Sequence, residues 1–349
     1  MVSDKRWLKM AAVLGVSIFW LAGCGKSTVK TQEGMNQIEA LDYKGALALF
    51  EEAQSLGEDE RLIARGQGIA HMGLTEYEDA IRCFKDALSL SSGFLEPMDY
   101  DISYYLAAAY TKSGKYGEAE QIYNAILDLK ENELNAIFLR GLSRLSQAKY
   151  DDAKKDFDKV VDLDGKNYDR IIDIYEAMAH YGYEEAGREY LNDVIAAGSS
   201  SLSTFDQGRL YYYLGEYQDA ALLLEKSREK GGAEISLYLG RAYEAIGEYN
   251  YAMNVYTSYI AKDTTNAEIY NQLGVCRMFT KDYQGALEAF QAGMKIENSG
   301  MMQTLAFNEI MAYEYLGEFR KAEVLLNSYM ENYPDDAAAA REQVFLSTR

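Results

Sequence analysis

The chain of 349 residues contains five cysteine and histidine side chains, the residue types that most often act as nucleophiles, general bases or zinc ligands: Cys24, Cys83, Cys276, His71 and His180. Cys83 and Cys276 show no spacing typical of a zinc site, and we expect both to be small buried hydrophobes. We expect His71 and His180 to lie at helix interfaces. The sequence has no HExxH motif, glycine-rich phosphate loop or nucleophile elbow. It therefore does not indicate an enzyme, and we predict no cofactor and no metal.

Acidic side chains dominate the charge of the chain. Its 55 aspartates and glutamates outnumber 35 lysines and arginines, which gives a formal net charge of −20. With so many carboxylates, chance pairs are inevitable and do not indicate general acid–base catalysis. A strongly acidic surface repels phosphate backbones, so we predict no nucleic-acid partner. Gly25-Lys26-Ser27 does not complete a P-loop, because Trp20 stands where that motif needs its first glycine.

An aromatic residue followed three positions later by alanine recurs nine times, at intervals of 32 to 39 residues. The pairs are Tyr43/Ala46, Tyr77/Ala80, Tyr116/Ala119, Tyr150/Ala153, Tyr183/Ala186, Tyr217/Ala220, Tyr249/Ala252, Tyr283/Ala286 and Phe319/Ala322. A repeat of this length predicts a stack of helical hairpins in which each hairpin contacts only its neighbours. We therefore expect no disulfide between Cys83 and Cys276, which are six repeats apart.

Two further columns align when each alanine is placed at position 20 of a 34-residue unit. Position 24 is large and mostly aromatic: Phe50, Phe84, Tyr123, Phe157, Tyr190, Leu224, Tyr256, Phe290 and Leu326. Position 8 is small in most units: Gly68, Ala107, Gly141, Gly208, Gly240 and Gly274. Apolar residues three and four apart on both halves predict two amphipathic helices in each unit. We expect the large side chains to fill the wedges between neighbouring units.

The pattern Gly240–Tyr243–Gly247–Tyr249–Ala252–Tyr256 and its eight relatives resemble the tetratricopeptide repeat. The resemblance covers about residues 27 to 334. It implies an all-α fold, a right-handed superhelical solenoid of about nine helical hairpins. The first and fifth repeats match least well, because Gly34 is placed out of phase and Ile174 takes the small position 8. Tight turns are predicted between the two halves of four repeats, at Gly114, Gly215, Gly247 and Gly317.

The first 24 residues carry a separate pattern, in which Lys5, Arg6 and Lys9 precede the apolar run of residues 10–23. The run is short for a membrane span and suits the core of a signal peptide. Its end, Leu21-Ala22-Gly23-Cys24, resembles the lipobox of bacterial lipoproteins. The resemblance implies cleavage before Cys24 and a lipid on its thiol, which would anchor the chain in a bacterial membrane.

The alternative for this segment is an uncleaved membrane helix. In either case the basic residues before the apolar run place the repeats on the extracytoplasmic side. Whether the membrane is the inner or the outer one stays open.

We therefore divide the chain into a signal peptide, a lipidated tether, a solenoid and a capping helix, over residues 1–23, 24–30, 31–334 and 335–349. Asp335 and Asp336 can cap the last helix. We expect Val344 and Phe345 to cover the exposed face of the last repeat, as the ends of a solenoid require.

The long interval of 39 residues between Ala80 and Ala119 predicts an insertion near residues 91–97. We interpret it as a tolerated loop insertion, because loops accept added residues more easily than helices do. A docking site is the alternative, since Phe94 and Leu95 are apolar.

The leading functional hypothesis is a non-enzymatic scaffold that binds another protein or peptide. In tetratricopeptide proteins the first helix of each hairpin lines the ligand groove, and the resemblance implies contacts at positions 2, 5, 9 and 12. These positions give the candidate partner-binding residues Tyr104, Phe138, Tyr175, Phe205, Arg209, Tyr212, Arg241, Asn271 and Phe307. Exposed aromatics with arginine are typical of interaction hot spots, although part of this row must belong to the core.

Arg209 and Arg241 stand at equivalent positions one repeat apart. Two aligned cations on an acidic protein would attract an acidic segment of a partner. The alternative is that each arginine pairs with a nearby acid such as Glu234 or Glu244.

A solute- or glycan-binding lipoprotein for nutrient uptake is the second hypothesis. Sugar platforms usually rely on tryptophan, and both tryptophans, Trp7 and Trp20, lie in the segment predicted to be removed. We therefore rank this hypothesis below the scaffold. A third hypothesis, an envelope enzyme, has no motif to support it.

Overall fold

The computed structural model describes residues 28–198 and 202–349 of the chain. Within these ranges the regular structure is entirely helical, with nineteen α-helices, one short 3₁₀ helix and no strand. The all-α prediction is therefore confirmed. The predicted signal peptide and Cys24 lie outside the described residues. The chain divides into two compact units, the first ending at Tyr190 and the second beginning at Leu191.

The first unit contains the helices of repeats 1 to 5, and its last helix continues past Tyr190. These helices are α1 (Val29–Glu39), α2 (Tyr43–Ser55), α3 (Glu60–Gly73), α4 (Tyr77–Ser89), α5 (Pro97–Lys112), α6 (Tyr116–Leu129), α7 (Leu134–Ser146), α8 (Tyr150–Asp164), α9 (Tyr168–His180) and α10 (Glu184–Gly198). Each predicted repeat in this unit forms one pair of consecutive helices.

The second unit contains repeats 6 to 9 and a terminal helix. Its helices are α11 (Thr204–Tyr213), α12 (Tyr217–Glu225), the 3₁₀ helix Arg228–Lys230, α13 (Ala233–Ala245), α14 (Tyr249–Ile260), α15 (Ala267–Phe279), α16 (Tyr283–Met294), α17 (Met302–Tyr315), α18 (Phe319–Asn332) and α19 (Ala337–Leu346).

The turn inside each hairpin contains one residue in the left-handed region of backbone space. The four predicted turn glycines adopt it, with φ of 77°, 79°, 83° and 77° at Gly114, Gly215, Gly247 and Gly317. Repeats 1, 2, 4 and 8 place a residue with a side chain there: Leu41, Thr75, Ala148 and Lys281. Such a residue costs about 1–2 kcal/mol, so the hairpin contacts on either side must hold it in place.

The small and large columns of the repeat contact each other inside a hairpin. A Cβ added to Gly141 would lie 2.6 Å from Cε1 of Phe157, and one added to Gly208 would lie 2.6 Å from Cγ of Leu224. The prediction that position 24 fills wedges between repeats is therefore incomplete, because the side chain first occupies the space above its own hairpin's glycine. It also reaches the next repeat, where Phe84 stacks on Tyr105 with the ring centroids 5.5 Å apart.

The placement of Gly34 out of phase was wrong. A Cβ on Gly34 would lie 2.7 Å from Cε1 of Phe50, which is the contact that position 8 makes in the other repeats. Gly66 of the following hairpin also packs on the Phe50 ring. The first repeat therefore follows the same packing rule as the rest.

The fifth repeat is shifted by one residue from its predicted alignment. Gly187 is buried, whereas Ala186 is only partly buried. The Gly187 N–H donates to the carbonyl of Tyr183 at 3.0 Å. In the other repeats, the alanine at position 20 donates in the same way to the residue four positions before it. The left-handed turn residue is Gly182, five positions before Gly187. The Tyr183/Ala186 pair therefore has the spacing of the repeated motif but does not occupy its structural positions. The large residue at position 24 of this repeat is Leu191.

Both ends of the described array differ from their predicted form. Residues 29 and 30 already belong to α1, because the buried carboxylate of Glu58 accepts the N–H groups of Lys30 and Thr31 at 3.0 and 2.8 Å. Asp336 caps α19 by accepting the N–H groups of Ala338 and Ala339. Of the two residues predicted to cover the last repeat, Phe345 packs against Phe319 with the ring centroids 6.3 Å apart, whereas Val344 is exposed. Leu346 is buried in its place.

Candidate functional site

The three predicted binding residues of the first unit are mostly packing residues. Phe138 is buried against Phe157, with ring centroids 6.0 Å apart, and the Arg170 guanidinium lies 4.2 Å above its ring. Tyr104 is half-buried and tilts against Tyr123 at 6.3 Å. Burial raises the pKa of Tyr104, so this phenol is neutral.

Tyr175 stands at position 8 in the corrected alignment of the fifth repeat. Its ring lies against Gly187 of the same hairpin, where a Cβ added to the glycine would be 3.2 Å from Cδ2 of the tyrosine. In other repeats, the glycine at position 8 lies against position 24 of its own hairpin. Tyr175 is therefore placed by hairpin packing and not by a groove.

Three predicted residues of the second unit, Phe205, Arg209 and Tyr212, meet around a fourth that was not predicted. Tyr238 on α13 packs edge-on against Phe205 and Tyr212 of α11, at centroid distances of 6.2 and 5.5 Å. The Arg209 guanidinium lies 4.8 Å from the Phe205 centroid. We call Phe205, Arg209, Tyr212 and Tyr238 the aromatic–arginine cluster. Tyr238 is buried and stands outside the four groove positions, which is why the repeat pattern missed it.

Arg209 and Arg241 are engaged in ion pairs, which supports the alternative that each arginine pairs with a nearby acid over the hypothesis that the two cations receive an acidic partner. Arg209 donates to Asp206 and to Glu234, each at 3.1 Å. Arg241 pairs with Glu268. In both cases the arginine at position 9 meets the glutamate at position 2 of the next repeat. The charges thus hold successive repeats together.

Asn271 and Phe307 also contribute to packing between helices. Asn271 is buried and accepts a hydrogen bond from the Asn308 side chain at 2.8 Å. Phe307 tilts against Tyr329 of α18, with the centroids 5.6 Å apart.

A buried ion network lies between repeats 3 and 4, where no site was predicted. The Asp156 carboxylate accepts from Arg140 at 2.7 Å and from Arg144 at 2.8 Å, and Arg144 also donates to Glu120 at 2.9 Å. Burial alone would raise the pKa of Glu120, but hydrogen bonds from Lys149, Arg144 and Gln147 lower it to about 2. Each charged group is paired with one of opposite sign, and the bonds to Glu120 join repeat 3 to repeat 4.

The two cysteines in the described residues are poor nucleophiles. Burial raises the pKa of both the Cys83 and the Cys276 thiol. The thiolate is the reactive form, so little of either residue is reactive at neutral pH.

The insertion of residues 91–96 forms an exposed apolar surface in the first unit. Phe94 is 81% exposed and Leu95 60% exposed. They border a cavity of about 370 Å³, which we call the insertion pocket, whose apolar lining includes Leu88, Phe94, Leu95, Tyr100, Ile122, Ile126 and Leu129. At the start of α5, Asp99 and Glu96 are both paired with Arg61, so the helix beside the pocket is firmly held.

No helix within residues 28–198 and 202–349 combines the length and the apolar character that crossing a membrane requires.

Two stretches of the chain, residues 65–133 and 205–267, match the family model described as tetratricopeptide repeat. They cover repeats 2–3 and 6–7, one stretch in each compact unit. These two stretches are therefore similar to tetratricopeptide repeats, as the spacing of their aromatic and alanine residues predicted.

Several curated proteins are similar to parts of the chain. RNA polymerase II-associated protein 3 of Xenopus tropicalis is 23% identical over 62% of this chain and 30% of its own length. The Hsp70-Hsp90 organizing protein of Triticum aestivum is 26% identical over 64% of this chain and 38% of its own. The lipoprotein NlpI homolog of Haemophilus influenzae is 26% identical over 38% of this chain and 40% of its own. The chain spans less than half of the length of each relative.

Proposed function

We propose that the chain is a bacterial lipoprotein, anchored in the membrane through Cys24, that acts as a non-enzymatic scaffold for protein–protein interaction on the extracytoplasmic side. The scaffold role rests on the insertion pocket. Large apolar side chains exposed singly are ordinary, but a contiguous group around a cavity marks an interaction surface. Phe94, Leu95 and the half-exposed Leu129 provide such a group.

The pairing of Arg209 and Arg241 shifts the proposed surface away from the predicted groove. Both arginines are compensated by acids of the same or the next repeat. The partner segment is therefore expected to present apolar side chains to the insertion pocket, not acidic ones to the arginines. An exposed apolar anchor inserted into such a pocket contributes most of the binding energy at many interfaces.

The membrane anchor is supported by the lipobox-like residues Leu21-Ala22-Gly23-Cys24. Similarity to a protein named as a lipoprotein in Haemophilus influenzae supports it as well. Similarity to the Hsp70-Hsp90 organizing protein is in keeping with an assembly role and gives no specific partner.

Co-purification from detergent-solubilised membranes tests the scaffold proposal. We expect Phe94→Ser/Leu95→Ser to lose the proteins recovered with the wild-type chain, at unchanged helicity. The double variant Leu222→Ser/Val324→Ser removes equally exposed apolar side chains elsewhere and should keep them. Equal recovery with both double variants would refute the role of the insertion pocket.

A glycan-binding function is the second candidate, favoured by paired rings in the second unit. Tyr249 and Phe279 stack at 4.7 Å with an interplanar angle of 7°, and Tyr283 and Tyr315 stack at 5.1 Å. Phe279 and Tyr315 are each mostly exposed. If glycans bind there, the wild-type chain should give a signal on a glycan array, and the double variant Phe279→Ala/Tyr315→Ala should lose that signal. Absence of any signal from the wild-type chain would exclude this candidate.

A further inference from the structure

We propose that repeat 2 holds a binding site for a divalent first-row transition cation, with Zn²⁺ as its representative, formed by His71, Glu76 and Asp79. Their ligand atoms, one imidazole nitrogen and two carboxylate oxygens, all lie within 4.8 Å of one another. Among the described residues, these three form a group of histidine and acidic side chains close enough together to hold one metal ion. A mixed nitrogen and oxygen set suits Zn²⁺, Ni²⁺ and Co²⁺, whereas Mg²⁺ prefers oxygen ligands.

The backbone of the hairpin turn holds two of the three ligands near each other. The Glu76 N–H donates to the His71 carbonyl at 2.9 Å, which places the two side chains on the same side of the turn. The His71 Nδ1 atom already lies 2.6 Å from Glu76 Oε2. Asp79 follows in the first turn of α4, so all three ligands belong to a single α3–α4 hairpin. A cation would therefore meet a site that needs only small side-chain movements.

The surroundings leave room for a cation. His71 is 20% exposed, Glu76 47% and Asp79 36%, so the site is open to solvent on one side and water can complete the coordination. Asp79 also pairs with Arg82, whose side chain is 74% exposed. Such an exposed pair is weak and yields to a metal ion. Glu78, the neighbouring acid, is engaged by Lys115.

The repeat pattern provides an internal comparison. Repeat 6 has the same turn, with the Glu216 N–H donating to the Tyr211 carbonyl at 3.0 Å, and it carries Asp219 where repeat 2 carries Asp79. It differs in having tyrosine in place of His71. Tyrosine also occupies this position as Tyr110, Tyr243 and Tyr313 in three other repeats. His71→Tyr therefore removes the nitrogen ligand and replaces it with the residue that the fold accepts elsewhere.

The test is calorimetric titration of the full chain in detergent with ZnCl₂, in a Cys24→Ser/Cys83→Ser background. In this background the remaining thiol, Cys276, is fully buried. We expect one Zn²⁺ per chain, no binding of Mg²⁺, and affinity weakened about tenfold or more by His71→Tyr. Asp79→Asn should weaken binding in the same direction. His180→Gln, which changes the second histidine of the chain, should leave the affinity unchanged.

Nuclear magnetic resonance gives an independent readout, because the chain contains two histidines. Zn²⁺ should shift the imidazole resonances of His71 and leave those of His180 in place. Absence of Zn²⁺ binding by the wild-type chain would overturn the proposal. So would equal affinity of a folded His71→Tyr variant, since it would place the metal elsewhere.

Discussion

At the scale of single residues, the most constrained positions are the glycines beneath the large side chain of their own hairpin. Gly141 has no space for a methyl group, because its added Cβ would lie 2.6 Å from the Phe157 ring. Gly117 is also helical, but its added Cβ would meet Gln147 Oε1 at an ordinary 3.6 Å. The same substitution should therefore have opposite effects at the two positions.

We expect Gly141→Ala to lower the free energy of unfolding by about 1–3 kcal/mol, because it overpacks the contact with Phe157. Gly117→Ala should be neutral or stabilising by up to about 1 kcal/mol, since alanine has the higher helix propensity. Urea denaturation followed by circular dichroism measures both. A destabilisation of equal size in the two variants would contradict the packing explanation.

Sequence reasoning succeeded where contacts are local to one hairpin and failed where they involve a partner in the next. The spacing of alanine and aromatic residues predicted the helices, because the contact between position 8 and position 24 recurs inside most hairpins. Glu234, the partner of Arg209, was among the acids named as alternatives, whereas Glu268, the partner of Arg241 in the following repeat, was not. Comparing position 9 with position 2 of the next repeat would have found both pairs. In the fifth repeat, the spacing of Gly182 and Gly187 indicates the correct alignment, with Gly182 in the turn and Gly187 at position 20.

At the scale of helices, a pair of acids lies between the last helix and α17. One oxygen of Glu314 on α17 is buried and meets no donor among the described residues. Burial, together with the nearby Glu342 carboxyl of α19, raises the pKa of Glu314 to about 7. A carboxyl with a raised pKa favours the folded state below its ordinary pKa, and that contribution is lost as the pH rises through about 7.

We therefore expect α19 to be held less firmly at pH 8 than at pH 6. Hydrogen exchange of the amides of residues 337–346, corrected for the intrinsic pH dependence, should show less protection at the higher pH. Glu342→Gln should reduce the difference, because it removes the repulsion at the Glu314 carboxylate and leaves the effect of burial. Glu323→Gln, an exposed acid on α18, should not. Identical protection of the wild type at both pH values would rule out this coupling.

At the scale of the whole molecule, the proposed attachment to a membrane depends on Cys24. We expect Cys24→Ala to abolish labelling by radioactive fatty acid and to leave the precursor uncleaved. Cleavage before Cys24 would remove both tryptophans, Trp7 and Trp20. Protein purified from membranes should then show tyrosine fluorescence alone. Tryptophan emission from that material would mean that the N-terminal segment is retained.

The arginine–glutamate pairs also limit how this array can gain or lose repeats during evolution. Deletion of residues 233–266 would bring Arg209 opposite Glu268 and recreate the pair, whereas deletion of residues 267–302 would bring Arg241 opposite Thr304. The second deletion removes a charged partner of the largely buried Arg241, so it should be the more destabilising one in thermal unfolding. An equal loss of thermal stability in the two deletion variants would show that the arginine–glutamate pairs do not account for a difference between them. Repeats 6 to 8 are thus not interchangeable copies, because the arginine of one hairpin selects the hairpin that can follow it.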